Sequence, residues 1–138
     1  MQHNPETESI LAERFGKDSV MALATLSDGL PSVRSVDAVY LGGVFYVVTD
    51  ARSNKMREIN LCPSVALAGD WFTCRGKGRS LGSFGSPENK ELANALRSLL
   101  TWLDNGHSDL SDPDTVILKI EPSAGVLFSH GTRFDIDF

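Results

Sequence analysis

Little in this sequence announces a function by itself. Only two cysteines and three histidines occur in 138 residues. Cys62 and Cys74 can form at most one pair. In a chain without an export signal, one such pair reads as two reduced thiols in a cytoplasm. His3, His107 and His130 are far apart and keep no ligand spacing, so neither a zinc site nor any other metal site is expected. The acidic stretch SDLSDPD (108–114) lacks the glycine and closing glutamate of a calcium loop and reads as a solvated turn. No apolar run approaches the roughly 18 to 20 residues of a membrane span. The opening MQHNPETESILAERF lacks the basic-then-apolar layout of a secretion signal. Excess positive charge is missing too. Thirteen Lys and Arg face eighteen Asp and Glu, a net charge of -5, which argues against a nucleic-acid partner. Any anion site must be local, built against the overall sign.

What remains is ordinary for a soluble globular chain, with 41% hydrophobic and 22% charged residues. Its length predicts one domain over 1–138. Residues 5–15 predict an amphipathic helix with Ile10, Leu11 and Phe15 on one side, the main part of an N-terminal helical region 1–16. The segments 19–26, 32–41 and 44–49 are rich in Val, Tyr and Phe and are joined by SDGLP and Gly-Gly. They predict an antiparallel meander, the start of a barrel core over 19–81. A short helix is expected from a Ser53 cap to Leu61, and two more strands within 64–81, bending near Gly69-Asp70. A further helix over 87–103 starts at Pro87 and buries Leu92, Leu96, Leu99, Leu100 and Leu103. Strands over 115–122, 124–130 and 133–138 complete a C-terminal region 115–138. Six or seven strands without a βαβ rhythm predict a mainly β, α+β fold: an antiparallel barrel with two or three helices outside it.

One stretch stands out chemically. In TDARSNK (49–55), a strand ends at Thr49 and a helix begins near Ser53, collecting hydroxyls and positive charge. The first backbone N–H groups of a helix lack intrahelical partners and suit a phosphate. A hydroxyl and the Lys55 ammonium would strengthen the grip. The plainer alternative is that Ser53 only caps the helix while Arg52, Lys55 and Arg57 are solvated surface charge. A second feature favours the anion. Arg34 lies in a strand, on one face with Val36, Ala38 and Tyr40, and such an arginine needs an acidic partner or a ligand. Asp37 points to the other face and cannot serve. Meander pairing brings Arg34 towards Thr49, so two segments converge.

The run DGLPSVRSVDAVYLGGVFYVVTDARSNKMREINLCPSVALA (28–68) resembles the FMN-binding split-barrel superfamily, which contains pyridoxamine 5'-phosphate oxidase and general-stress-protein-like flavoproteins. The resemblance implies an antiparallel split β-barrel. It implies that Arg34, Ser53 and Lys55 hold the FMN phosphate, with Thr49 and Asn54 nearby. Ser35, Val36 and Val48 would border the ring or the ribityl chain. It also implies a homodimer with FMN in the groove between protomers, and Trp71, Arg75 and FSHGTRF (128–134) are candidates for the partner's share. Two positions depart from the oxidase pattern: Asp135 stands where a histidine is expected, and an apolar residue near Val39 replaces a lysine. The implied function is thus an FMN-dependent oxidoreductase or flavin reductase using NADH or NADPH and a small acceptor, rather than the oxidase proper. No acid or base stands out as a catalytic residue. The alternatives are a non-catalytic flavin-binding stress protein, or the same fold with a deazaflavin or haem.

Overall fold

The computed structural model describes residues 4–104 and 109–138, so His3 and His107 lie outside the described residues. Helix α1 (Pro5–Phe15) is capped by Asn4, whose Oδ1 accepts the Glu6 N–H at 2.9 Å. Pro5 fits its first position, where no N–H is needed. Leu11 and Phe15 are buried against one mouth of a barrel. Tyr40 fastens the helix by donating its hydroxyl to Glu8 Oε2 at 2.5 Å. Burial, together with the Glu8 carboxylate, pushes the Tyr40 pKa upward.

Strands β1 (Ser19–Ser27), β2 (Leu30–Leu41) and β3 (Val44–Asp50) form the expected meander. Its turns need left-handed backbone. Asp28 and Gly29 have φ of 52° and 78°, and Gly42 and Gly43 have 62° and 91°. Such pairs suit two-residue hairpins, whose twist matches that of the flanking strands. Helix α2 (Asn54–Leu61) follows, then β4 (Ser64–Gly69) and β5 (Phe72–Ser83). The chain ends in β6 (Thr115–Ser129) and β7 (Thr132–Asp137).

The strand order is β3-β2-β1-β4-β5-β6-β7, closed by pairing of β3 with β6. Six strands therefore make a barrel and β7 is an extra strand. One edge of β6 pairs with β3 along Thr115–Ile120 and with β7 along Ala124–Ser129, which is the split. The barrel interior is filled by Met21, Leu23, Phe45, Leu67, Phe72 and their neighbours. Phe45 packs within 4.9 to 6.1 Å, centroid to centroid, of the Tyr40, Phe72 and Phe15 rings.

Two expectations need correction. Residues 115–122 and 124–130 are one strand, not two. Pro122 lacks an N–H, but the sheet absorbs it with a bulge: Arg75 pairs with Ala124 and Gly76 with Pro122. Gly76 permits this, because a Cβ there would lie 2.4 Å from the Glu121 carbonyl oxygen. The segment 87–103 is not one helix. A 3-10 turn (Pro87–Asn89) leads into α3 (Lys90–Leu99), and a second 3-10 turn (Thr101–Asp104) follows. Leu100 leaves helical backbone with φ -102° and ψ 81°. Asp18 Oδ2 then accepts from the Thr101 hydroxyl at 2.7 Å. The break keeps Leu96, Leu100 and Leu103 buried together in a second core, which covers Val39, Val48 and Ile117 outside the barrel. Val39 is fully enclosed there, which explains why an apolar residue stands at that position. Among the described residues, no helix is long and apolar enough to cross a membrane.

Candidate functional site

Strand alternation decides which side chains meet at the barrel mouth beneath α2. On β1, Met21, Leu23 and Thr25 point inward; on β2, Arg34, Val36, Ala38 and Tyr40 do; on β3, Phe45, Val47 and Thr49 do. Helix α2 closes this mouth with Met56 and Ile59, both buried in the same core. Thr25, Arg34 and Thr49 are therefore the last inward residues before α2, and they are polar.

Arg34 is held tightly. Its Nη1 donates to Thr25 Oγ1 at 2.7 Å and to the Leu23 carbonyl at 3.2 Å. Its Nη2 lies 3.3 Å from Glu58 Oε1, and Thr25 donates to the same carboxylate at 2.6 Å. The acidic partner that Asp37 could not supply thus comes from α2. Lys55 donates to Thr49 Oγ1 at 2.7 Å. Burial, and then the positive charge of Arg34, lower the Lys55 pKa, while Asp50 acts against them. A bound anion would offset both the burial and the like charge at this ammonium.

Ser53 caps α2: its Oγ accepts the Met56 N–H at 3.4 Å, and its carbonyl accepts from Arg57 N at 3.1 Å. The amides of Asn54 and Lys55 lie ahead of that first intrahelical bond. Asn54 is exposed and accepts from Arg57. Arg52 does not turn to the mouth. It makes two bonds to the Asp50 carboxylate, at 3.0 and 2.8 Å, and lies 3.6 and 3.7 Å from Asp114 and Asp112. Residues 109–114, expected as a solvated turn, are in part an acidic clamp on Arg52.

Of the eight residues expected in the site, Arg34, Thr49, Ser53 and Lys55 gather around the α2 mouth. Val36 lies one inward position deeper. Val48 is on the opposite sheet face, buried under α3. Ser35 is exposed on the outer face of β2, beside Val33.

That outer face holds a feature the sequence reading missed. Pairing registers align two rungs of mostly short side chains across the sheet. One runs Ser35, Ala22, Ala68, Thr73, Val126, and the other Val33, Ala24, Ala66, Arg75, Ala124. All of these except Ser35 line a groove of about 580 Å³. Val33 and Val20 nearby are 69% and 72% exposed and add apolar surface to that face. Alternate alanines in MALATL and VALAG are the signal that could have shown it. Thr25 and Glu58 were also missed. Glu58 lies one helical turn beyond Lys55, on the side that meets the barrel.

The site also makes a direct test available. The Lys55 ammonium should titrate below the ordinary value of 10.5 in the free protein. Inorganic phosphate should raise that midpoint, because a bound anion stabilises the charged form. Nuclear magnetic resonance of the lysine side chain reads both, and an unshifted midpoint would contradict the geometry.

Comparison with known proteins agrees with this architecture. The family profile described as pyridoxamine 5'-phosphate oxidase matches residues 7–127. The chain belongs to that family. A search of curated proteins finds no match. Among solved structures, General Stress Protein 26 from Bacillus anthracis is similar at TM-score 0.69 and 19% identity, over 95% of this chain and 99% of that one. An FAD-binding protein from Mesorhizobium loti is similar at TM-score 0.68 and 19% identity, over 90% and 92%. A heme binding protein from Mycobacterium smegmatis is similar at TM-score 0.73 and 14% identity, over 99% of this chain but 60% of that one. At these identities the likeness is one of fold.

Proposed function

We propose that this protein binds FMN, with the flavin phosphate at the start of α2 and the ring system against the alanine-floored outer face. The observation that carries this reading is the convergence of Lys55 and Arg34 on one barrel mouth, in a chain of this family. Lys55 would meet the phosphate with its ammonium, helped by the Asn54 and Lys55 amides and the hydroxyls of Ser53 and Thr49. Arg34, fixed by Thr25 and Glu58, adds a positive charge that needs no rearrangement. The short side chains of Ala22, Ala24, Ala66 and Ala68 leave room for a planar ring beside the sheet.

The exposed apolar face supports a homodimer, in which the partner would cover the flavin and exclude water. Trp71 and Phe128 form an exposed edge-to-face pair 6.3 Å apart, and Arg75 lies on the alanine floor. These are the side chains best placed to contribute from a partner. A cytoplasmic setting belongs to this reading, with Cys62 and the buried Cys74 as thiols; burial pushes the Cys74 thiol up to about 12.

When bound, FMN supplies acceptance and release of a hydride or electrons, which these residues would orient and shield. In this reading the bound flavin would pass electrons from NADH or NADPH to a small acceptor. A non-catalytic flavin-holding role is the second reading, favoured by a groove lining that is mostly small and apolar, with Arg75 and Asp135 as its charged members. Haem fits less well: His130 sits in a hairpin turn beside α1, away from the α2 mouth.

The test is the visible spectrum of protein purified or reconstituted with FMN, followed by NADPH or NADH oxidation with an electron acceptor. Bound-flavin absorbance with turnover supports the oxidoreductase; bound flavin without turnover supports the holding role. No flavin binding would refute both.

A further inference from the structure

We propose that Glu58 is a built-in counter-carboxylate of the anion site, a specificity-determining residue that sets how firmly a doubly charged phosphate is held. The proposal rests on the reading of the α2 mouth as the flavin-phosphate site. Its basis is where the nearby charges already go. Glu58 Oε1 faces Arg34 at 3.3 Å and accepts from Thr25, which is 1% exposed, at 2.6 Å. Two of the five guanidinium N–H groups are committed to Thr25 and Leu23. A phosphate reaching Arg34 must therefore share it with an acid that the fold holds in place.

Arg52 is more fully consumed, by Asp50, Asp112 and Asp114. Lys55 differs, since its hydrogen-bond partner is the neutral Thr49 hydroxyl. At the mouth itself the two cations Arg34 and Lys55 thus stand with one carboxylate, Glu58, while Arg52 and its three carboxylates turn away from it. A phosphate monoester carries roughly -1.5 to -2 at neutral pH. With Glu58 offsetting one of its two cations, the mouth holds such a group more through aimed donors than through its net charge. The flavin should then exchange readily, behaving as a dissociable ligand.

Glu58→Gln isolates the effect. Glutamine keeps an oxygen acceptor for Thr25 and Arg34 and removes only the negative charge. FMN should bind roughly tenfold more tightly to this variant than to the unaltered protein, the size expected of one partly screened charge nearby. Riboflavin, which has the same ring and no phosphate, should bind both equally. A purely structural role for Glu58 would not change that ratio. Thermal melting verifies the fold, and Glu58→Ala repeats the measurement should the glutamine variant fail to fold.

A raised preference for FMN over riboflavin supports the proposal. An unchanged or lowered preference in a folded variant, with Lys55→Ala still weakening FMN, overturns it and leaves the phosphate site standing. If Lys55→Ala has no effect, or no flavin binds, the phosphate site falls and this proposal with it.

Discussion

Lys55→Ala should weaken FMN binding by about 10- to 100-fold, the loss of one charge-assisted contact of about 1.5 to 3 kcal/mol. Riboflavin binding should change little, because the lost partner is the phosphate. Stability should move the other way or not at all. Burial and Arg34 lower the Lys55 pKa, so the folded state disfavours this ammonium relative to the unfolded chain. That cost is fully present below the folded-state value, and it disappears as pH rises through that value towards 10.5. Removing Lys55 at neutral pH relieves it. Weaker ligand binding in a protein no less stable distinguishes a functional cation from a structural one. Arg34→Ala would be less informative, since it strands Glu58, whose side chain is 19% exposed. It should lose both affinity and stability. Flavin titration alongside thermal melting separates the two variants, and equal FMN affinity in Lys55→Ala would count against the site.

Ala22→Glu should abolish both dimerisation and FMN binding while leaving the monomer folded. Ala22 lies in the middle of the alanine rung, between Ser35 and Ala68 on the neighbouring strands. In a monomer its side chain faces the open groove, and a glutamate there can extend into water. In a dimer closed over that face, the carboxylate would be buried without a partner, at a cost of several kcal/mol. Sedimentation should show a monomer at micromolar concentration, and the flavin absorbance should no longer elute with the protein. A dimer that keeps its flavin in this variant would place the partner interface elsewhere.

Much of this architecture can be read from the sequence because its signals are local. Asp28-Gly29 and Gly42-Gly43 demand left-handed backbone, so the meander and its registers follow from a few residues. Ser53, Lys55 and the strand arginine Arg34 are equally visible, and their convergence follows from pleat alternation. The long strand β6 is less visible, because Pro122 normally ends a strand and its rescue depends on Gly76 across the sheet. Glu58 was hidden for a related reason. Asp37 on the same strand points away from Arg34, and the carboxylate that pairs with it arrives from the helix that closes the barrel. Arg52, expected at most as solvated surface charge, is instead paired with two carboxylates that the turn at 109–114 brings to it. Long-range pairing decides these cases, and spacing along the chain does not encode it.

A crystal structure of the protein grown with FMN would show whether the flavin phosphate sits at the start of α2. Phosphate density within hydrogen-bonding distance of Lys55 Nζ and the Ser53–Lys55 amides, with the ring on the alanine face, is the expected result. A flavin bound with its phosphate away from Lys55, or saturating FMN that leaves this mouth without a phosphate, would contradict it.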